Sequence, residues 1–491
     1  MDCLGTYGAA CRYIAALYYD PENPTFRILV RHQDISKTLV TSLIHDLGQT
    51  AFGHDIEEVD EKLFSHTEFT KLLLEASAAP GEIPGESLKT IIEDPAPRGW
   101  GLADIGDVST FLLAPKDPPL RPFDRLLREI VDGPVDADKL DYLIRDSVNC
   151  RVQYGHGIDI DRFIRSLTTI CVVNEDSGES SMSLAIKAKG KASADAFSLA
   201  RAQMYQAVYL HHTFRSVKAM FLTAAAFAIH SARESLNKKH GSPVNEGAFR
   251  TRLQNAYFRH VYLVPIGAAG LGTSKDLFSD TLTPPSELSQ LRVIGGGSPD
   301  RTLDFFFQIG TAESKHLLQC LGQRTIFKRL FEISFARIRN RKKTLDVLQT
   351  PESRVAVTKE LNSKFRAMLV AASNAGAVSQ DTFNTSHVVE HLHRWTLDCL
   401  LIIDAPLRGL DSNVPSPHIV ADYKRKYIHP LRADSDRTGE TAADDAAGAL
   451  LQEAAHLRVF ADPAIHDLIL MRLDQKDIKR TIAQVIGFNL K

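Results

Sequence analysis

The sequence predicts a mostly α-helical protein that carries a small antiparallel β-hairpin and ends in a mixed α/β region. Three observations lead there. Apolar residues recur at helix-face spacing in TYGAACRYIAALYY (6–19) and ISKTLVTSLIHDLG (35–48). The period drops to two between 166 and 191, and 192–236 then runs without an internal proline or glycine.

Taken in order, Asp34 stands where an N-cap is expected for the second helix, and Gly48 falls just past its end. Residues 76–119 are rich in Pro, Gly and Asp and read as loops around short helices such as ESLKTIIED. PFDRLLREIVDG restarts a helix and stops at Gly133. VDADKLDYLIRDS (135–147) follows as an amphipathic helix, with Asp136 or Asp138 as its cap and Leu140, Leu143 and Ile144 as its core face. SLTTICVV, the turn NEDSGES and SMSLAIKAKGK make the hairpin, in which Lys187, Lys189 and Lys191 would share one strand face.

The stretch 192–236 reads as one long helical region containing the core segment MFLTAAAFAIHSA, and a helix-breaking loop follows at 266–287. FKRLFEISFARIRNRKK (327–343) reads as a further helix, LDCLLIIDAPL (397–407) as a buried strand, and RADSDRTGETAADDAAGA (432–449) as a linker or mobile loop. The expected organisation is a core over 1–240, a helical extension over 241–345 with a loop at 266–303, and an α/β region of unassigned role over 346–491.

Composition narrows the class. The 491 residues include 58 Lys plus Arg against 60 Asp plus Glu, so the net charge gives no sign of a strongly basic nucleic-acid protein, nucleic acid is only weakly supported as a partner, and any anionic partner must be drawn by a local field. Hydrophobic residues at 44% and charged residues at 24% are ordinary for a globular chain. The six cysteines show no CxxC spacing, as expected for buried thiols in a reducing cytoplasm. With no apolar run of spanning length and no secretion signal, neither a membrane partner nor export is expected.

The stretch LIHDLGQTAFGHD (43–55) raises the chemical question, because neighbouring helix residues point about 100° apart and His45 and Asp46 cannot form a same-face ligand pair. Alone, the pair reads as polar punctuation at a helix end. Its company changes that: the aspartates of VDADKLDYLIRDS join it in a mixed N/O set that suits a divalent metal on phosphate chemistry. At a helix end, a long imidazole and a short carboxylate can converge on one ion.

Together, LIHDLGQTAFGHD and VDADKLDYLIRDS resemble the HD superfamily of metal-dependent phosphohydrolases, specifically its deoxynucleoside triphosphate triphosphohydrolase branch. The resemblance covers roughly residues 1–240 by motif order. It implies an HD-domain helical bundle holding a divalent metal ion (Mn, Mg, Fe or Zn) on His45, Asp46 and Asp138. It also implies helper histidines His54 and His66 near the phosphates, Lys139 on phosphate, Tyr142 against the sugar and Asp146 near the ribose 3′ hydroxyl. In ARAQMYQAVYLHH, Arg201 would reach phosphate, with Tyr205 and Tyr209 toward the nucleoside; the i, i+4, i+8 spacing of these three is equally that of a core stripe. The implied activity is hydrolysis of deoxynucleoside triphosphates to deoxynucleoside and triphosphate, by a homo-oligomer (dimer or tetramer) that takes a regulatory nucleotide.

The chain departs from that pattern at three places. Gln49 stands where a histidine is usual, and Thr67 follows His66 where an acid is usual. MDCLGTYG matches the family at Leu4 and Gly5 but puts Asp2 in the place of the first metal histidine, with no arginine three residues earlier. Three readings stand: a start inside a longer natural chain, Asp2 as an oxygen ligand, or a catalytically impaired protein that keeps a nucleotide site for regulation or scaffolding. An HD-type nuclease using the basic run at 327–343 is a further alternative, although a solvated face is the preferred reading of that run. His211 and His212 read as packing or capping residues, and GHGIDID (155–161) as structural.

Overall fold

The computed structural model describes residues 2–50, 52–76, 92–93, 103–113, 121, 123–173, 180–265, 291–293, 299–346, 348–374, 396–406, 418–420 and 442–488. Two compact units divide the chain, and each is assembled from separate segments: Met1–Gly48, Thr67–Val208 and Asp411–Leu451 in the first, Gln49–His66, Tyr209–Leu410 and Gln452–Lys491 in the second. Helices dominate, with small sheets that are mainly antiparallel, so the expected mostly α-helical class is the one adopted.

In the first unit the opening helix, Asp2–Tyr18, buries Thr6, Ala10, Tyr13, Ile14 and Leu17, a stripe at the helical period. Tyr13 donates to Val135 O at 2.9 Å, and its ring lies beside Phe163, which stacks on Phe197 at 5.5 Å. Gly5 lets this helix approach the Ala137–Asn149 helix. A Cβ at that position would lie 2.0 Å from Asp141 Oδ1, inside the Asp141–Arg145 ion pair.

The next long helix runs His32–Ile44, three residues earlier at its start than the sequence suggests, with Arg31 at the N-cap. Asp34 is its third residue and accepts from Arg31 N at 3.0 Å, the reciprocal half of a capping box. An acid three residues inside a helix and one at its cap leave the same mark in sequence, which is why Asp34 was misplaced.

The hairpin forms as read: Leu167–Val173 pairs antiparallel with Ser180–Lys187, in register Leu167↔Ile186 to Val173↔Ser180. His418–Val420 adds a parallel strand on the far side of Ser180–Lys187. The lysine face does not form. Lys187 ends the strand and is buried, 2.7 Å from Asp20 and 2.9 Å from Glu22, Lys189 lies in a 3-10 turn, and Lys191 opens the Lys191–Met204 helix.

The long helical region 192–236 is broken. Lys191–Met204 passes into a π-helical turn at Tyr205–Tyr209, and the extended His211 then caps His212–His240 by accepting from Thr213 N at 3.3 Å. The capping role read for this histidine pair is therefore taken by His211. In the second unit His212–His240 is buried without interruption from Ala219 to Ile229, as its apolar run requires.

The second unit also holds a three-stranded antiparallel sheet, with His456–Ala461 between Lys328–Ser334 and Leu401–Asp404. Leu401–Asp404 is buried at all four positions, the strand read from LDCLLIIDAPL. Lys328–Ser334 corrects the helix expected at 327–343. Its pairing skips one residue between Arg329 and Phe331, so the buried Leu330 and Ile333 fall three apart and imitate a helix face. The basic run is consequently spread over a strand, a 3-10 turn and the short Arg341–Asp346 helix, and Arg337, Arg339, Arg341 and Lys342 are exposed.

The stretch read as a linker contributes to a helix, Ala442–Ala454; its residues 432–441, most of the loops at 76–119 and the loop at 266–287 lie outside the described residues. All six cysteines are free; Cys320 and Cys399 are buried as expected, whereas Cys150 is exposed. Among the described residues no helix is long and apolar enough to cross a membrane.

One buried ion pair anchors the long helix of the second unit to its sheet. Arg215 donates from Nε and Nη2 to the two oxygens of Asp404, at 2.8 and 2.6 Å, and both side chains are almost fully shielded. Asp404→Ala strands a buried guanidinium and is expected to cost about 3–5 kcal/mol in urea unfolding. Replacing both partners by apolar residues of similar volume should cost much less, and equal losses in the two variants would contradict this assignment.

Candidate metal centre

His45 is the first residue past the His32–Ile44 helix, where the last carbonyls lack intrahelical partners and can accept from a side chain. Ser42 O lies 2.9 Å from Nδ1, which fixes that nitrogen as the donor and leaves Nε2 as the lone-pair side of the ring. Nε2 faces two carboxylates, Asp46 at 3.5 Å and Asp138 at 3.6 Å. Both distances exceed a hydrogen bond, and Nε2 is buried with no hydrogen-bond partner. A buried nitrogen just out of hydrogen-bonding range of two carboxylate oxygens offers donors of the kind a divalent cation takes.

The electrostatics agree. Burial works against a charged imidazole, yet Asp138 and Asp46 outweigh it and raise His45 to about 9. Burial likewise works against a charged Asp138, and His45, Lys139 and the Thr6 hydroxyl, which donates at 3.2 Å, hold its carboxyl below the usual range. Where no cation is bound, a proton on His45 balances the two acids. Position 2 lies one turn before Thr6 on the opening helix and therefore on the same side; the Asp2 side chain lies outside the described residues.

Asp138 is placed by its neighbour. Asp136 is the N-cap of Ala137–Asn149, fully buried, accepting from Lys139 N at 2.6 Å and Gly133 N at 2.8 Å. Burial pushes its carboxyl up to about 6 against the pull of Lys139, whose ammonium it also holds. Lys139, Tyr142 and Asp146 follow at i, i+3 and i+7 on one helix face.

Arg201 packs against the same cluster. It bonds the Tyr142 and Tyr205 hydroxyls, its guanidinium lies 5.3 Å from the Tyr205 ring centre, and its Nε is buried without a partner. Burial keeps the Tyr142 phenol protonated and a donor. The structure thus brings together His45, Asp46 and Asp138, and beside them Lys139, Tyr142, Arg201 and Tyr205, all within the first unit. Tyr209 ends the π-helical turn Tyr205–Tyr209 and is the first residue of its segment in the second unit.

His54 and His66 form a cluster of their own in the second unit. Their rings meet edge to face at 4.9 Å, and a buried carboxylate sits between them: Glu57 Oε2 is 3.2 Å from His54 Nδ1, and Oε1 is 2.5 Å from His66 Nδ1 and 2.9 Å from His66 N. These three side chains could themselves hold a cation. Gln49, in the place of the usual histidine, reaches His54 Nε2 at 3.2 Å. Phe52 stacked on Phe221, and Glu58 bonded to Lys218, anchor the segment that carries them.

Sequence reasoning missed Glu57. Its signal was an acid three residues after His54 on a short helix. Burial opposes the charge on Glu57, but the two histidines and the His66 amide win and hold it far below the usual carboxylate range. A depressed acid stabilises the fold above its unfolded value near 4.5, and that contribution is lost as pH falls below it. Glu57→Gln should therefore cost about 2 kcal/mol at neutral pH. In urea titrations the gap from the parent should close progressively below pH 4.5, and a gap constant with pH would refute the charged role.

Comparison with known proteins gives one family match, the HD associated region, over residues 158–257. An uncharacterized protein of Methanocaldococcus jannaschii, MJ1154, is 29% identical over 191 residues, which are 39% of this chain and 34% of that protein. The uncharacterized protein YwfO of Bacillus subtilis is 27% identical over 180 residues, 37% of this chain and 34% of the relative. The matched stretch is thus about a third of either relative's length. Among solved structures, a phosphohydrolase from Bacteroides thetaiotaomicron is 16% identical at a TM-score of 0.46, with 94% of this chain and 86% of that one covered. What the comparisons establish for this chain is a likeness to the HD associated region, confined to residues 158–257.

Proposed function

We propose that the protein is a metal-dependent phosphohydrolase whose substrates are deoxynucleoside triphosphates, cleaved to deoxynucleoside and triphosphate. The observation that carries the reading is His45 Nε2, buried and without a hydrogen-bond partner, with Asp46 and Asp138 at 3.5 and 3.6 Å from it. A cation held by these residues supplies Lewis-acid polarisation of a phosphoryl oxygen.

The rest falls to the chain's own side chains. Arg201 offers a buried, unpartnered Nε–H to a phosphate oxygen, and the Lys139 ammonium adds positive charge on the same flank. Tyr142 stays protonated and bounds the sugar, while Asp146, one turn further on, accepts from a 3′ hydroxyl. Water adds to the α-phosphorus, the bond to the 5′ oxygen breaks, and that oxygen takes up a proton as triphosphate leaves. Nucleotide binding without turnover is the second reading, favoured by Asp2 in the position where the resemblance implies a histidine.

Incubation with Mn2+ or Mg2+ and a panel of dNTPs, NTPs and single-stranded DNA, with the products resolved, tests the assignment. Triphosphate released from dNTPs is the expected result. Binding without release, or shortened oligonucleotides, would refute it. Asp138→Ala should abolish turnover and lower bound metal in elemental analysis. Arg201→Met should lower kcat/KM about 100-fold with metal content unchanged.

A further inference from the structure

A second donor set lies in the second unit, among residues that the proposed chemistry does not use. The Ala312–Gly322 helix carries His316 and Cys320 four residues apart, one above the other on the same face. Opposite them is Asp462, the residue that leaves the central strand His456–Ala461 and caps the Pro463–Arg472 helix. Its amide donates to Leu400 O at 2.8 Å, and Cys399, beside Leu400, reaches Glu313 O on the histidine-bearing helix at 3.6 Å. The end of the sheet and the helix face are therefore held together from both chains of contact.

The three donor atoms converge. Asp462 Oδ2 lies 3.2 Å from His316 Nε2, and Cys320 Sγ lies 3.7 Å from the same nitrogen. In a catalytic Cys–His–Asp relay the thiol and the acid use opposite ring nitrogens; here both face Nε2, so the ring cannot relay a proton between them. Both do fit a tetrahedral cation. Bonds of about 2.3 Å to sulfur and 2.0–2.2 Å to nitrogen and oxygen put the ligand atoms about 3.6 Å (S···N) and 3.4 Å (N···O) apart. The other oxygen, Asp462 Oδ1, accepts from Ala464 N at 2.9 Å, which orients the carboxylate and leaves Oδ2 for the cluster.

We propose that His316, Cys320 and Asp462 bind a zinc-class divalent cation, in a site that ties the Ala312–Gly322 helix to the end of the sheet. Cys320 binds as thiolate and releases its proton to solvent. Three protein ligands leave the fourth position to water, and His316, the least buried of the three, faces solvent.

Cobalt(II) added to the full-length protein provides the test. A thiolate-to-cobalt charge-transfer band in the near ultraviolet is expected, absent in Cys320→Ser and retained in Asp138→Ala. No band in the parent, or a band that survives Cys320→Ser, overturns the proposal. Asp462→Asn keeps a competent helix cap while removing the anionic ligand, so it decides the matter should the cysteine variant fail to fold. It should weaken cobalt binding at least tenfold with an unchanged circular dichroism spectrum, and unchanged affinity overturns the proposal.

Discussion

The buried carboxylate of Asp136 is the constraint on which the candidate metal centre depends. It begins the Ala137–Asn149 helix, holds the backbone at Gly133 and Lys139, and grips the Lys139 ammonium, so that one side chain sets both the start and the rotation of the helix. Everything the helix presents is indexed from that point: Asp138 toward His45, then Lys139, Tyr142 and Asp146 along one face. An acid buried so deeply is costly in itself, as its raised proton affinity shows. The fold retains it because three donors meet there, and those donors would otherwise be orphaned at a helix start.

The opposing side is built on the same logic with different parts. Gly5 removes the side chain that would hold the opening helix away, and Thr6 then bonds Asp138 directly. His45 comes from a helix terminus, where an imidazole can turn back toward a neighbouring acid. Three segments far apart in sequence thus meet in the first unit, with His45 and Asp46 in the turn that follows the His32–Ile44 helix.

Much of this was legible in the chain. The hairpin was readable because two short runs rich in β-branched and apolar residues flank the polar turn NEDSGES, and the opening helix because its apolar stripe is continuous. Of the named site residues, Asp46 and Asp138 lie close to His45, and Lys139, Tyr142, Arg201 and Tyr205 neighbour one another in the same unit. Glu57 escaped notice because a structural acid between two histidines leaves no periodic trace. The strand at 328–334 escaped because a bulge around Leu330 converts a period of two into a spacing of three. The break after Met204 has no proline or glycine to announce it; a π-helical turn and one extended residue, His211, accomplish it with ordinary side chains.

The segmented composition of the units bears on synthesis and folding. The Ser180–Lys187 strand receives its neighbour, His418–Val420, only after more than 200 further residues have been made, and the sheet of the second unit waits for its central strand at His456–Ala461. On the ribosome both units are therefore unfinished until the last part of the chain emerges. Edges at Ser180–Lys187, Lys328–Ser334 and Leu401–Asp404 stand open in the interval, exposed to mispairing or to a chaperone. Contacts of such long sequence separation make for slow folding, because the entropy of closing the loop is lost before the pairing that rewards it can form.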